Sequence, residues 1–199
     1  MRYNNASCGT KKMNFYDFVE QVKLFEGFRS KAYYDVGGTL TIGYGRTSNV
    51  VVGQVTTEEK EHSWLVNNLR TLSVSVRSKM LNYGYNNITS NQVFALTSFC
   101  YNLGIGKLAQ VTNNGKRTLE EVGKKMLLYT KCNGKELNGL VVRRKWESNL
   151  FFTDVYTALD LQKKVNEIYA RNNSTKRLVL DGVIGSKSVN AIMDILNTI

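Results

Sequence analysis

The chain has 199 residues, no proline and a net charge of +11, with 42% apolar and 22% charged residues. This composition fits one large domain, or a domain of about 150 residues plus a small module, and argues against global disorder. The charge points to an anionic partner: nucleic acid, a membrane surface or an acidic wall polymer. Residues 1–153 hold 21 basic and 11 acidic residues and residues 154–199 hold 6 and 5, so the attraction belongs to the first part. Three scattered cysteines and one histidine, His62, argue against a disulfide framework, a metal site or a Ser-His-Asp triad. No run of about 18 apolar residues predicts a membrane-spanning helix. The first residues, Met1 to Cys8, lack the apolar stretch of a secretory signal.

Residues 1–12 are polar and read as a flexible leader. Phe15, Phe18, Val19, Val22 and Phe25 recur at helical spacing, and Gly27 supplies a stop, so Glu26 falls at a helix end. Residues 32–46 read as short strands about a Gly37-Gly38 turn. Thr56 and Glu59 have capping-box spacing and predict a helix running to about Leu81. After a loop at 82–87, Thr89 or Ser90 caps a helix over 91–103. Its apolar residues, Val93 to Leu96 and Phe99 to Tyr101, cover nearly every side, as a central buried helix requires. Gly104 and Gly106 end it. Thr118 and Glu121 form a second capping box, for a helix to about Tyr129. Residues 132–138 read as a loop, and 140–152 as a helix carrying Arg143 and Arg144. Beyond about 154, Leu159, Leu161, Val165, Ile168 and Tyr169 are helix-compatible, and Asn172-Asn173-Ser174 breaks the pattern. Residues 178–185 form a short apolar turn segment. Ser186 caps a last helix with Val189, Ile192, Met193 and Leu196 on its apolar face. The fold class is therefore α+β and mainly α, with a small C-terminal helical module.

Three residues could carry chemistry. Glu26 ends the first helix between Leu24-Phe25 and Gly27-Phe28, an apolar setting that would favour its protonated form. Asp35 opens the glycine turn nine residues later, and Thr41 follows in the returning strand. Two carboxylates and a hydroxyl on different elements are equipment for acid/base cleavage of a glycosidic bond. Taken alone, a helix-end Glu and a turn Asp are also ordinary surface residues.

The run 26–46 resembles the catalytic segment of the phage-type lysozymes (glycoside hydrolase family 24): Glu26-Gly27, Lys31-Ala32-Tyr33, Asp35, then Thr41-Ile42-Gly43-Tyr44-Gly45. The likeness continues in Gln92 to Leu96 with Ser98, Phe99 and Tyr101 to Gly104. It closes in Gly139 to Arg144 with Glu147 and Leu150. The resemblance implies a lysozyme-like, two-lobed catalytic domain over 13–153, a small hairpin lobe joined to a helical lobe. It implies that Glu26 protonates the leaving oxygen while Asp35 and Thr41 hold a water on the opposite face, with inversion and no cofactor. The substrate would be the bond between N-acetylmuramic acid and N-acetylglucosamine in peptidoglycan. Tyr44, Tyr101 and Asn102 would touch the glycan, and Arg143 and Arg144 would hold the lobes together, with binding of peptide-stem carboxylates as the alternative. Arg46 stands where the family usually has histidine, a structural ion-pair partner.

Residues 154–199 resemble a peptidoglycan-binding module, through Leu161-Gln162, Val165-Asn166 and Leu180-Asp181-Gly182-Val183-Ile184-Gly185. The expected setting is a monomer made in the host cytoplasm without a signal peptide and acting on the cell wall, in lysis or in entry. A membrane-permeabilising holin or a virion tail would then bring it to its substrate. No groove-reading motif supports nucleic acid as the partner, and no stable membrane insertion is expected. The alternatives are a non-catalytic wall-binding protein and a lytic transglycosylase, which would use a single glutamate.

Overall fold

The computed structural model of the chain describes residues 13–35, 37–153, 158–180, 187, 190 and 191. It divides into two compact units, Met1–Thr153 and Asp154–Ile199.

The first unit begins with α1 (Phe15–Glu26), followed by the strands β1 (Arg29–Tyr34) and β2 (Leu40–Gly43). Helices α2 (Glu58–Asn82), α3 (Ser90–Leu103), α4 (Lys107–Thr112) and α5 (Leu119–Met126) follow. A two-residue hairpin, β3 (Lys131–Cys132) and β4 (Lys135–Glu136), leads into α6 (Asn138–Phe152). The lysozyme-like architecture, mainly helical with a small antiparallel hairpin, is the one the sequence implied.

Local chemistry accounts for most helix ends. Asn14 caps α1 by accepting from the Asp17 N–H, and Gly27 closes it at φ 69°, donating to Lys23 O. Thr89 with Gln92 and Thr118 with Glu121 form complete capping boxes for α3 and α5. At α2 the cap is Thr57, not Thr56. The Thr56 hydroxyl instead donates to Glu61 at 2.7 Å, a buried partner that outweighs a cap exposed to water. α5 stops at Met126, short of Tyr129, and α6 starts two residues earlier than expected. The sequence pattern does not predict α4, since six residues are too few to show a periodicity. The expected loop at 132–138 holds the β3–β4 turn, with Asn133 at φ 48° and Gly134 at φ 78°. Asn-Gly is a hairpin signal in its own right.

The core forms around α3. Val93, Ala95, Leu96, Phe99 and Cys100 are buried against Val76 and Met80 of α2, Leu108 and Val111 of α4, Val122 and Met126 of α5, and Leu150 and Phe151 of α6. Burial pushes the Cys100 thiol up to about 12, so it stays a neutral core residue. A second cluster joins Phe18, Val19 and Val22 of α1 to Leu65 and Leu69 of α2 and to Tyr44 just after β2. Phe18 and Phe94 stack at 4.9 Å and link α1 to α3. The two clusters hold the end of α1 and the root of the hairpin against one scaffold.

In the second unit, α7 (Ala158–Arg171) buries Val165 and Tyr169 against Ala191 and Leu178. The Asn166 amide clasps the Leu178 backbone, donating to its carbonyl at 2.9 Å and accepting from its N–H at 2.7 Å. The Asp181 to Gly185 motif and the Ser186 cap lie outside the described residues, as do Val189, Ile192, Met193 and Leu196 of the last expected helix. Among the described residues, no helix is long and apolar enough to cross a membrane.

Candidate active site

Glu26 is the last residue of α1, with a side chain 18% exposed. The C-terminal end of a helix carries partial negative charge, so an anion there calls for a cation. Arg143, reaching across from α6, donates from Nη1 to Glu26 Oε1 at 2.6 Å. The other oxygen, Oε2, lies beside Gly45, 3.4 Å from where a Cβ would stand, and the Tyr101 hydroxyl is 3.6 Å from that same point. A side chain at Gly45 would crowd this approach, and its φ of 91° also favours glycine. The apolar setting expected of Glu26 is not what the structure shows. Leu24 turns to solvent, and the surroundings of the carboxyl are ionic.

Arg143 is itself held from several sides. Nε donates to Glu147 Oε1 at 3.1 Å, and Nη2 to the Ser98 carbonyl at 3.0 Å and its Oγ at 3.3 Å. Its guanidinium lies 5.2 Å from the centroid of Phe25, which rests edge-on against Trp146 at 5.3 Å. Ser98 Oγ donates to Glu147 Oε1 at 2.6 Å. Arg144, on the other side of Glu147, approaches Oε2 to 3.1 Å and lies 5.0 Å from the Phe99 ring centroid. Burial pushes the Arg144 guanidinium down to about 10 and the Glu147 carboxyl up, each against the attraction of the other. Both side chains are wholly buried.

Asp35 and Thr41 sit on the hairpin. Tyr33 pairs with Thr41 and Tyr34 with Leu40, and the ladder continues through Asp35 N–H to Thr39 O at 3.0 Å. Side chains alternate along each strand, so this register puts Asp35 and Thr41 on the same face as diagonal neighbours. Asp35 Oδ1 accepts from the N–H groups of Gly37 at 2.9 Å and Thr39 at 2.8 Å, which pins the carboxylate by one oxygen. Thr41 is buried, and its hydroxyl donates to Thr39 O at 2.9 Å, leaving lone pairs to accept.

The residues expected to touch glycan fare differently. Tyr44 is a correction. At 3% exposure it is packed in the second cluster, and its hydroxyl donates to Glu58 at 2.5 Å. Burial pushes its phenol up, with the Glu58 hydrogen bond adding to the effect. The half-buried Tyr101 donates to the Tyr44 carbonyl at 2.6 Å and so ties α3 to the hairpin beside Glu26. Burial first, then the charge of Glu26, pushes its phenol up. Asn102 accepts at Oδ1 from Arg144 Nη2 at 2.7 Å, which leaves its NH₂ to face the other way.

The partner of Arg46 is Glu61. Nε and Nη2 grip the carboxylate at 2.9 and 2.6 Å, and Nη1 holds the carbonyls of Ser48 and Asn49. The Arg46 hydrogen bond holds Glu61 below the usual carboxylate range. Gly43 is required above it, since a Cβ there would stand 2.5 Å from Glu61 Cγ. Sequence reasoning gave Arg143 a place between the lobes but missed its contact with Glu26. It gave Glu147, Ser98 and Glu61 no role at all. The Arg-Arg pair followed by Glu three residues on was the available signal.

Residues 23–147 match the family described as phage lysozyme. The endolysin of Bacillus phage B103 is 37% identical over 143 residues, covering 68% of this chain and 52% of the relative. The chain thus spans about half the length of that relative. The endolysin of Acyrthosiphon pisum secondary endosymbiont phage 1 is 29% identical over 137 residues, covering 65% of this chain and 91% of its own. Among solved structures, the muramidase domain of SpmX from Asticaccaulis excentricus matches at a TM-score of 0.58 with 34% identity, covering 69% of this chain and 95% of that chain.

Proposed function

The chain belongs to the phage lysozyme family, and we propose that it hydrolyses the bond between N-acetylmuramic acid and N-acetylglucosamine in bacterial peptidoglycan. The observation that carries this reading is the carboxyl of Glu26. It lies within the matched stretch, tied by Oε1 to Arg143 with Oε2 beside Gly45. Relatives named as endolysins and a muramidase domain support the same chemistry.

Glu26 is the general acid. It gives its proton to the leaving glycosidic oxygen, and Arg143 steadies the carboxylate that results. Asp35 and Thr41 hold the attacking water. Oδ1 of Asp35 is occupied by backbone N–H groups and the Thr41 proton by a carbonyl. Both side chains therefore meet water as acceptors, through Asp35 Oδ2 and Thr41 Oγ. A water that donates to both turns a lone pair outward, toward an anomeric carbon. Attack from the face opposite the acid inverts that carbon. The NH₂ of Asn102 is a donor for a glycan carbonyl or hydroxyl.

The +11 charge suits an anionic wall. Residues 154–199 act as a second attachment point on peptidoglycan, prolonging residence. The protein works as a monomer without entering the membrane. It reaches the wall through a holin-type lesion during lysis, or on a virion tail during entry.

Glu26→Gln keeps the shape of the residue and removes the acid. It is expected to lower lysis of purified walls by roughly 10²–10⁴-fold. Undiminished lysis overturns the assignment. Mass spectrometry of the released muropeptides decides the chemistry: hydrated reducing ends support hydrolysis, and anhydro ends refute it in favour of a transglycosylase.

A further inference from the structure

Resting on the reading of Glu26 as the acid, we propose that Glu147, with Ser98, is the positioning group that aims Arg143 at Glu26 and sets how much positive charge Glu26 faces. The guanidinium is a rigid planar fork, so fixing two of its nitrogens fixes the third. Glu147 Oε1 takes Nε, and the carbonyl and hydroxyl of Ser98 take Nη2. Nη1 is thereby directed at Glu26 Oε1. Ser98 also donates to Glu147, which closes the triangle between α3 and α6.

The charge balance follows from the same geometry. A fully buried carboxylate persists only where cations and hydrogen bonds hold it. Glu147 lies between two arginines and neutralises one of them, so Glu26 is the second anion of the group. With Glu26 ionised, the four side chains sum to zero. With Glu26 protonated, they carry one net positive charge. Giving up the proton to a leaving oxygen therefore moves the cluster toward neutrality. Without Glu147, the charge of Arg143 at Glu26 and that of Arg144 behind it would go uncompensated, and Glu26 would lose its proton to solvent at lower pH. The other groups around Glu26, including Asp35 across the hairpin, are the same in the wild type and in a Glu147 variant, so they do not enter the comparison. Tyr101, from α3, stays neutral. The hairpin presents Gly45, and Lys23 on α1 is engaged by Glu20 and Glu58.

The test is a pH–rate profile of the full chain on a soluble peptidoglycan oligosaccharide. Glu147→Gln preserves volume and removes the charge. The alkaline limb, where activity is lost as the acid loses its proton, is expected to move to lower pH by roughly one unit. A limb that stays in place overturns the electrostatic role. Ser98→Ala keeps every charge and loosens the fork. Its kcat is expected to fall about tenfold with KM within about twofold and the limb unmoved. An unchanged kcat overturns the positioning role, and this arm stands even if Glu147→Gln does not fold. The failure of the underlying reading looks different: the wild-type chain would release no muropeptides, or Glu26→Gln would remain active.

Discussion

Two arginine–glutamate groups are buried among the described residues of the first unit, and they are built differently. Arg46 and Glu61 join the root of the hairpin to α2, and every nitrogen and oxygen of the pair has a partner. Glu61 accepts from two guanidinium nitrogens and from Thr56, while the third nitrogen of Arg46 closes the Ser48–Asn49 loop. Most of the hydrogen-bonding capacity of this pair is used within the fold, and its work is to fix the hairpin. Arg143, Arg144 and Glu147 join α6 to α3 and remain open. Nε of Arg144 and Oε2 of Glu147 stand 3.1 Å apart without the alignment of a hydrogen bond, and Arg143 spends one nitrogen on Glu26. A closed pair holds structure in place, whereas an open group retains charge that it can direct at a neighbour.

That contrast can be broken in three ways. The largest effect should come from Glu61→Ala, which strands Arg46 in a buried site. Breaking a buried pair on one side costs about 3–5 kcal/mol, read by chemical denaturation. Replacing both partners, Arg46→Leu with Glu61→Leu, should recover much of that loss, because an apolar pair needs no compensation. A double variant no more stable than Glu61→Ala would mean that the pair contributes more than mutual neutralisation. Next comes Gly43→Ala. Its methyl would stand 2.5 Å from Glu61 Cγ at a φ of 65°, so about 1–3 kcal/mol should be lost through the same ion pair. An unaffected melting temperature would show that Glu61 can step aside.

The smallest effect concerns pH. Arg46 holds Glu61 below its unfolded value. The unfolded chain therefore binds the extra proton as pH falls past about 4.3. The stability that Glu61 contributes is present above that pH and is lost as pH falls further, through the folded value. Glu61→Gln should flatten the acid slope of stability against pH between those limits. A slope identical to wild type would place the acid sensitivity elsewhere.

Several elements of the site were legible because they rest on local rules. Asp35 with two glycines announces a turn, and Thr41 falls in the strand that returns from it, while their shared face came from the register. Gly27 announces a helix stop and so places Glu26 at an end. The capping boxes at Thr89 and Thr118 follow from side-chain reach alone. Asn133-Gly134 is an equally local signal, and its hairpin lies inside a stretch whose composition reads as a loop. The partners of Glu26 and Arg46 were not legible. Arg143 lies 117 residues from Glu26, and Glu61 lies 15 from Arg46, on an element whose first turn looked like an ordinary capping sequence. Tyr44 misled for a related reason. Its neighbours Gly43 and Gly45 suggest an open loop, yet its ring fills the gap between α1 and the hairpin.

The sequence by itself determined the order of the principal helices and the hairpin, most of the capped helix ends, the apolar residues of α3, and the family that Glu26, Asp35 and Thr41 point to. Those properties depend on periodicity, capping and turn chemistry, which act over a few residues. Only the tertiary structure decided that Glu26 meets a guanidinium rather than an apolar wall, that Tyr44 is packing, and that Arg46 is matched by Glu61. Each depends on which side chains the packing of distant helices brings within about 3 Å. A chain read locally holds no record of that distance.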